Sequence, residues 1–171
     1  LTVSGSNVIV STDGQPDYKA NYFETTNPCY EEFTDRTQNP NTLGELNAEL
    51  TIPQTPNTTN STMPGGIVGV AVNGVAIFDN EAAAPDNIYD EVQTFDRCQG
   101  HPAGTTYHYH IEPDAISSED SAFVGVMRDG NPVYGRLDAD NSTPVLDGNG
   151  GHTGTTPDSA TPIYHYHVHY Q

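Results

Sequence analysis

Apolar positions in this chain fall in short runs broken by turn residues, and none keeps the 3.6-residue spacing of an amphipathic helix. The first run lies within LTVSGSNVIVST, where Val8 and Val10 alternate with Ile9 and Ser11. That pattern predicts a strand with apolar character on both faces, stopped by Asp13-Gly14-Gln15-Pro16. From Asn27 to Pro64 the chain is rich in Asn, Thr and Pro, which predicts a long irregular excursion. Within it, Leu43 to Ile52 reads as a helical turn leading into a strand. Two longer runs follow, Ile67 to Phe78 (IVGVAVNGVAIF) and Phe123 to Tyr134 (FVGVMRDGNPVY). Each sets two apolar segments around Asn73-Gly74 or Asp129-Gly130, pairs that suit the positive φ of a type I′ hairpin turn.

These hairpins lie over each other without a gap, with Val68, Gly69, Val70 and Gly74 falling on Val124, Gly125, Val126 and Gly130. Downstream of each come an acidic loop, a Gly-His pair and a Tyr-His-Tyr-His run: Gly100-His101 with Tyr107 to His110, then Gly151-His152 with Tyr164 to His167. The same parts in the same order mark an internal duplication. The expectation is one domain over 1–171, with an N-terminal strand and irregular region at 1–65, a first unit at 66–111 and a second at 122–171. Its predicted fold is mainly β, an antiparallel sandwich or barrel-like sheet with little helix.

Alternation along a strand puts both histidines of each YHYH run on one face and both tyrosines on the other. His108 and His110 form one pair, and His165, His167 and His169 extend the second; His101 and His152 complete the chain's seven histidines. Imidazoles two residues apart can close on one ion, and clustering in two repeated motifs argues for a metal site over scattered structural rings. We expect the pairs from both halves to converge on a shared cation. Imidazole ligands favour copper or zinc. Cys98 is a candidate thiolate for the same ion, though a bridge to Cys29 is preferred. Asp138, Asp140, Asn141 and Asp147 offer oxygen ligands spaced like a calcium loop, without the closing Glu of an EF-hand.

Charge narrows the partners. Five Lys plus Arg against 23 Asp plus Glu leave a formal charge of −18, which repels nucleic acid and anionic lipid and attracts cations. No apolar stretch approaches the ~20 residues of a membrane span. The start has no initiator Met and reads as a processed end. Cys29 and Cys98, in polar surroundings and without CxxC spacing, predict a disulfide and an oxidising compartment. Three N-x-[ST] sequons, at Asn57, Asn60 and Asn141, fit a glycosylated, extracellular surface. GxSxG, HExxH, Walker loop and cysteine–base patterns are all missing, so side-chain catalysis has no sequence support.

The run Gly66 to Asn80, then Asp96-Arg97-Cys98-Gln99-Gly100-His101-Pro102 with Tyr107 to His110, then Val133-Tyr134-Gly135, Leu146-Asp147 and Gly151-His152-Thr153-Gly154 with Tyr164 to His167, resembles the YHYH-domain proteins. The resemblance implies a secreted microbial protein in which those histidines are suspected metal ligands; it implies no reaction. Two roles stand as expectations. One is a secreted, glycosylated structural subunit that binds metal and self-associates into a homopolymer, the strand begun by Leu1, Thr2 and Val3 pairing with a neighbour. The other is a copper- or zinc-dependent extracellular enzyme or metal carrier.

Overall fold

The computed structural model describes residues 1–34, 37–57, 66–79, 81–82, 86–111, 113, 116–117 and 119–168. It is mainly β, with two sheets in a sandwich-like arrangement and no closed barrel. The smaller sheet joins β1 (Thr2–Ser4), β2 (Asn7–Thr12) and β3 (Ala48–Pro53) in antiparallel order. Here β1 pairs with β2 of its own chain, Val3 opposite Val8, through a turn that Gly5 makes at positive φ. Leu43 to Asn47, expected to form a helical turn, is irregular; Leu43 is drawn into the core instead.

The larger sheet has eight strands: β4 (Ile67–Ala71), β5 (Ala76–Phe78), β6 (Gly100–Ala103), β7 (Thr106–Tyr109), β8 (Phe123–Met127), β9 (Pro132–Tyr134), β10 (Gly151–Thr156) and β11 (Ser159–His167). Their order, β10-β11-β9-β8-β4-β5-β7-β6, reads the same from either end once the two units are equated. Registers repeat as well. Ile77 faces Tyr109 as Val133 faces Tyr166, and each opening hairpin breaks register at the same place, between Ile67 and Gly69 and between Phe123 and Gly125. In the sheet the units join through β4 and β8, where Val70 opposes Val126 at a pseudo-two-fold axis. Two glycines permit that approach: a Cβ on Gly125 would lie 2.3 Å from Val70 O, and one on Gly69 2.9 Å from Val126 O.

The sheet is mixed, contrary to the antiparallel expectation. β5–β7 and β9–β11 are parallel, because the loop leaving each opening hairpin is long enough to return the YHYH strand alongside the hairpin's outer strand. The first loop carries a short helix, α1 (Ile88–Glu91), capped by the Asn87 side chain and followed by a 3₁₀ turn at Val92–Thr94. Both hairpin turns also differ from type I′. Only Gly74 and Gly130 take positive φ, which fits a type I turn closed by a glycine bulge.

Tyrosines and histidines separate as alternation predicts. Tyr107 and Tyr109 enter a core with Ala71, Val75, Ala20, Tyr22, Phe23 and Leu43. The irregular region before β3 thus covers the tyrosine face of the first unit and leaves the imidazoles opposite. Neither Cys29 nor Cys98 is in a disulfide. The expected bridge is not formed, although the Arg97–Glu31 ion pair at 2.9 Å ties their neighbours together. Each cysteine is held in a turn of its own, with its N–H donating to Asn27 Oδ1 and Asp96 Oδ1 respectively. No helix among the described residues is long and apolar enough to cross a membrane.

Candidate metal centres

The Gly-His pair has a packing reason. A Cβ on Gly100 would sit 2.5 Å from the Tyr107 hydroxyl, and one on Gly151 2.5 Å from the Tyr164 hydroxyl. In each unit the first tyrosine of YHYH therefore lies over the glycine and fixes the hairpin. Its hydroxyl donates to a carboxylate four residues before that glycine, Tyr107 to Asp96 Oδ2 at 2.6 Å and Tyr164 to Asp147 Oδ2 at 2.9 Å. The other oxygen of each acid accepts the loop's N–H groups, from Cys98 and Gly100 in one unit and from Asn149 and Gly151 in the other. The second tyrosine reaches the opening hairpin: Asn73 Nδ2 donates to Tyr109 Oη at 3.0 Å, and Tyr166 Oη donates to Asp129 Oδ2 at 2.7 Å. Both tyrosines are thus pinned, which fixes the rotation of the strand and aims the histidines at the far face.

On that face His101 stands directly opposite His108, and His152 opposite His165. Two groups result, not the single shared site expected. His101, His108 and His110 form one, near the β6 edge, and His152, His165, His167 and Asp138 form the other, near the β10 edge; within each group the ligand atoms lie within 4.8 Å of one another. The pseudo-two-fold axis through the middle of the sheet sends the two copies to opposite ends, so the halves do not converge. A carboxylate outside the expected set borders the first group. Glu91 Oε2, from α1, is 3.3 Å from His110 Nε2 and 3.7 Å from His101 Nε2. In the second, Asp138 Oδ1 is 3.0, 3.5 and 3.8 Å from the Nε2 atoms of His152, His167 and His165.

Proton placement decides what these groups can hold. Carbonyl oxygens only accept, so His108 Nδ1 donates to Thr106 O at 3.1 Å, and His110 Nδ1 donates to Asp79 O. The Thr94 hydroxyl donates to Glu91 O and lies 2.6 Å from His101 Nδ1, which the Asn39 side-chain amide also approaches at 3.4 Å. With Nδ1 of His108 and His110 protonated, those two neutral rings turn bare Nε2 lone pairs toward each other, only 2.9 Å apart. The second group repeats this. His165 and His167 donate from Nδ1 to Ile163 O and Gly135 O, while their Nε2 atoms lie 3.0 and 3.2 Å from His152 Nε2. Asp138 Oδ1 is buried there without a hydrogen bond. A single proton on His152 Nε2 would serve one of these acceptors and leave the rest unserved.

Extra protons are costly here. Burial first, and then the neighbouring His110, lower the His101 pKa to about 4. Burial, with His101 and His110 behind it, lowers that of His108 to about 3. Burial likewise lowers His165 and His167. His101, His108, His165 and His167 thus favour the neutral form, the protonation state in which imidazole ligates a metal. The spacing also fits, since the ligand–ligand edge of a tetrahedron with ~2.0–2.1 Å bonds is roughly 3.3 Å.

The other predicted residues fall as follows. His169 and Asn60 lie outside the described residues. Asn57 and Asn141 are exposed, Asn141 at positive φ. The four proposed calcium ligands have separate roles: Asp138 faces the imidazoles, Asp140 Oδ1 accepts the Ser142 N–H, Asn141 N–H donates to Asp138 O, and Asp147 holds its loop and Tyr164. Cys98 is in neither histidine group.

A family profile described as YHYH protein matches residues 49–145. No curated protein and no solved structure matches the chain.

Proposed function

We propose that this chain, which belongs to the YHYH protein family, binds two transition-metal ions, one per unit, and uses them mainly to lock an extracellular structural domain. One observation carries this reading: the ligand atoms of His101, His108 and His110 in one unit, and of His152, His165, His167 and Asp138 in the other, converge within 4.8 Å, with Nδ1 of His108, His110, His165 and His167 donating to carbonyl oxygens. A cation between them would draw on the Nε2 lone pairs that the carbonyl-bound Nδ1 protons leave bare. Three imidazoles and one carboxylate in tetrahedral spacing suit zinc, with copper the next candidate. A filled set of four donors favours a structural role over a catalytic one, since a catalytic zinc keeps one position for water or substrate. Residues Asp96, Asp147, Thr94 and the carbonyls of Thr106, Asp79, Ile163 and Gly135 orient the ligands, and each supplies geometry that a metal would otherwise have to impose.

An acidic, sequon-bearing surface supports secretion and glycosylation. Self-assembly rests on the smaller sheet. β1 is exposed along its length on an open edge, with Val3 at 70% exposure and Leu1, just before the strand, at 90%. Such a strand can leave β2 and take the same place on a neighbour, building a polymer by strand exchange.

Elemental analysis tests the metal reading. The purified chain should hold two transition-metal ions, His108→Ala one, His165→Ala one, and the double variant none. Metal content equal in all four proteins would overturn it. Negative-stain microscopy of the full chain, compared with one lacking residues 1–5, tests assembly; polymers that persist after the deletion would exclude strand exchange.

A further inference from the structure

Although the two centres share a ligand plan, their surroundings differ. Around the first, Phe78 stacks on His108 with ring centroids 3.9 Å apart, and Phe95 meets His101 at 4.7 Å and lies parallel to His110 at 6.0 Å. Phe95 is itself only 1% exposed. The side chains of His101 and His110 are 7% and 3% exposed, leaving the Glu91 carboxylate as the outermost member of that group. The second unit has no such cover among the described residues. Tyr134 replaces Phe78 and touches His165 edge-on at 5.5 Å, and the position matching Phe95, five residues before Gly-His, is the partly exposed Leu146. An imidazole as well as the carboxylate now reaches the surface, His152 at 20% and Asp138 at 19%. Both line a recess of about 320 Å³ shared with Ala139, Asp140, Gly154 and Thr155. Gly154 helps keep it open: a Cβ there would come within 3.0 Å of His152 Cε1.

Building on the two-ion reading, we propose that the centres divide the work: the first holds its ion as a fixed part of the fold, and the second exchanges its ion and admits one outside donor through the recess over Asp138 and His152. The donor fits a small neutral nitrogen ligand of the imidazole class. A space of this size takes one small molecule, and Asp140 at its wall disfavours an anion. Tetrahedral zinc and cobalt accept a fifth ligand without losing the first four. Exchange follows the same route, because an incoming chelator must reach the ion before any protein ligand leaves.

Cobalt(II) reports on each step through its visible bands. The full chain loaded with two cobalt ions and mixed with excess chelator should release them in two phases of equal amplitude, the faster by about tenfold or more. His165→Ala should lack the fast phase and keep the slow one. Ala139→Trp retains every ligand and narrows the recess, so it should slow the fast phase and leave the other alone. Free imidazole should perturb the bands of one ion per chain, and Ala139→Trp should abolish that response. Release of both ions in a single phase would overturn the division, as would a fast phase and an imidazole response that are both indifferent to Ala139→Trp. A chain that takes up no cobalt would instead refute the centres themselves, and the division with them.

Discussion

Chelation of the metal-loaded protein gives the sharpest reading of what the two centres contribute. Each would bind its ion only in the folded chain, because β6–β7 or β10–β11 must pair before the cross-strand imidazoles meet. A ligand bound only to the native state adds about 2.7 kcal/mol when its free concentration is a hundred times its dissociation constant. Two independent centres then give about 5 kcal/mol under those conditions, a large part of the 5–15 kcal/mol typical of a whole domain. For a chain of this length that corresponds to a fall in Tm of about 10–20 °C on stripping. Relief of the buried, unpartnered Asp138 Oδ1 is part of that binding energy and not an addition to it. Differential scanning calorimetry before and after treatment with a chelator, with metal content followed by elemental analysis, measures the change. A Tm that stays put while both ions are lost would refute the claim that the ions hold the hairpins together.

Three further outcomes follow from the same geometry. Gly100→Ala drives a Cβ to 2.5 Å from the Tyr107 ring and should cost about 1–3 kcal/mol in urea unfolding; Gly148→Ala, with nothing within 4 Å and no positive φ, tests whether loss of backbone freedom alone explains the effect. Tyr107→Phe leaves the buried Asp96 Oδ2 without its 2.6 Å donor and should destabilise by about 1–3 kcal/mol, with metal stoichiometry unchanged because the lost contact lies on the opposite face. Metal-free protein should lose stability as the pH falls. His101 and His108 have folded pKa values of about 4 and about 3, below the unfolded value near 6.5, so their contribution is complete above pH 6.5 and disappears as the pH drops through 4 toward 3; a denaturation midpoint flat from pH 7 to pH 4 would contradict the burial of those rings.

Much of this was legible in the residues, and the limits have physical causes. Period-two alternation separates Tyr107 and Tyr109 from His108 and His110 with no knowledge of the fold, and a repeated Gly-His-to-YHYH order reveals the duplication. The partition into two sites was not legible, because it depends on the axis at Val70 and Val126, and strand pairing between distant segments leaves no local trace. Glu91 was missed since it comes from a four-residue helix in a loop that differs between the units. Asp138 was noticed for its acidic neighbours and assigned to calcium, whereas its partners are imidazoles on another strand. One signal was available and unused: an acid four residues before each Gly-His pair, Asp96 and Asp147, both of which orient the hairpins. The Cys29–Cys98 bridge is not formed, and the backbone of each cysteine is held in a turn of its own.

The central pairing of β4 with β8 has an evolutionary consequence. An antiparallel contact about a two-fold is what two identical chains make when a strand meets its own image. A single-copy forerunner would thus have been a homodimer, with residues equivalent to Val70 and Gly69 at its subunit boundary. Fusion turned that boundary into the interior of one polypeptide and released the halves from identity, so one pocket was free to close under phenylalanines while its twin stayed open to the medium.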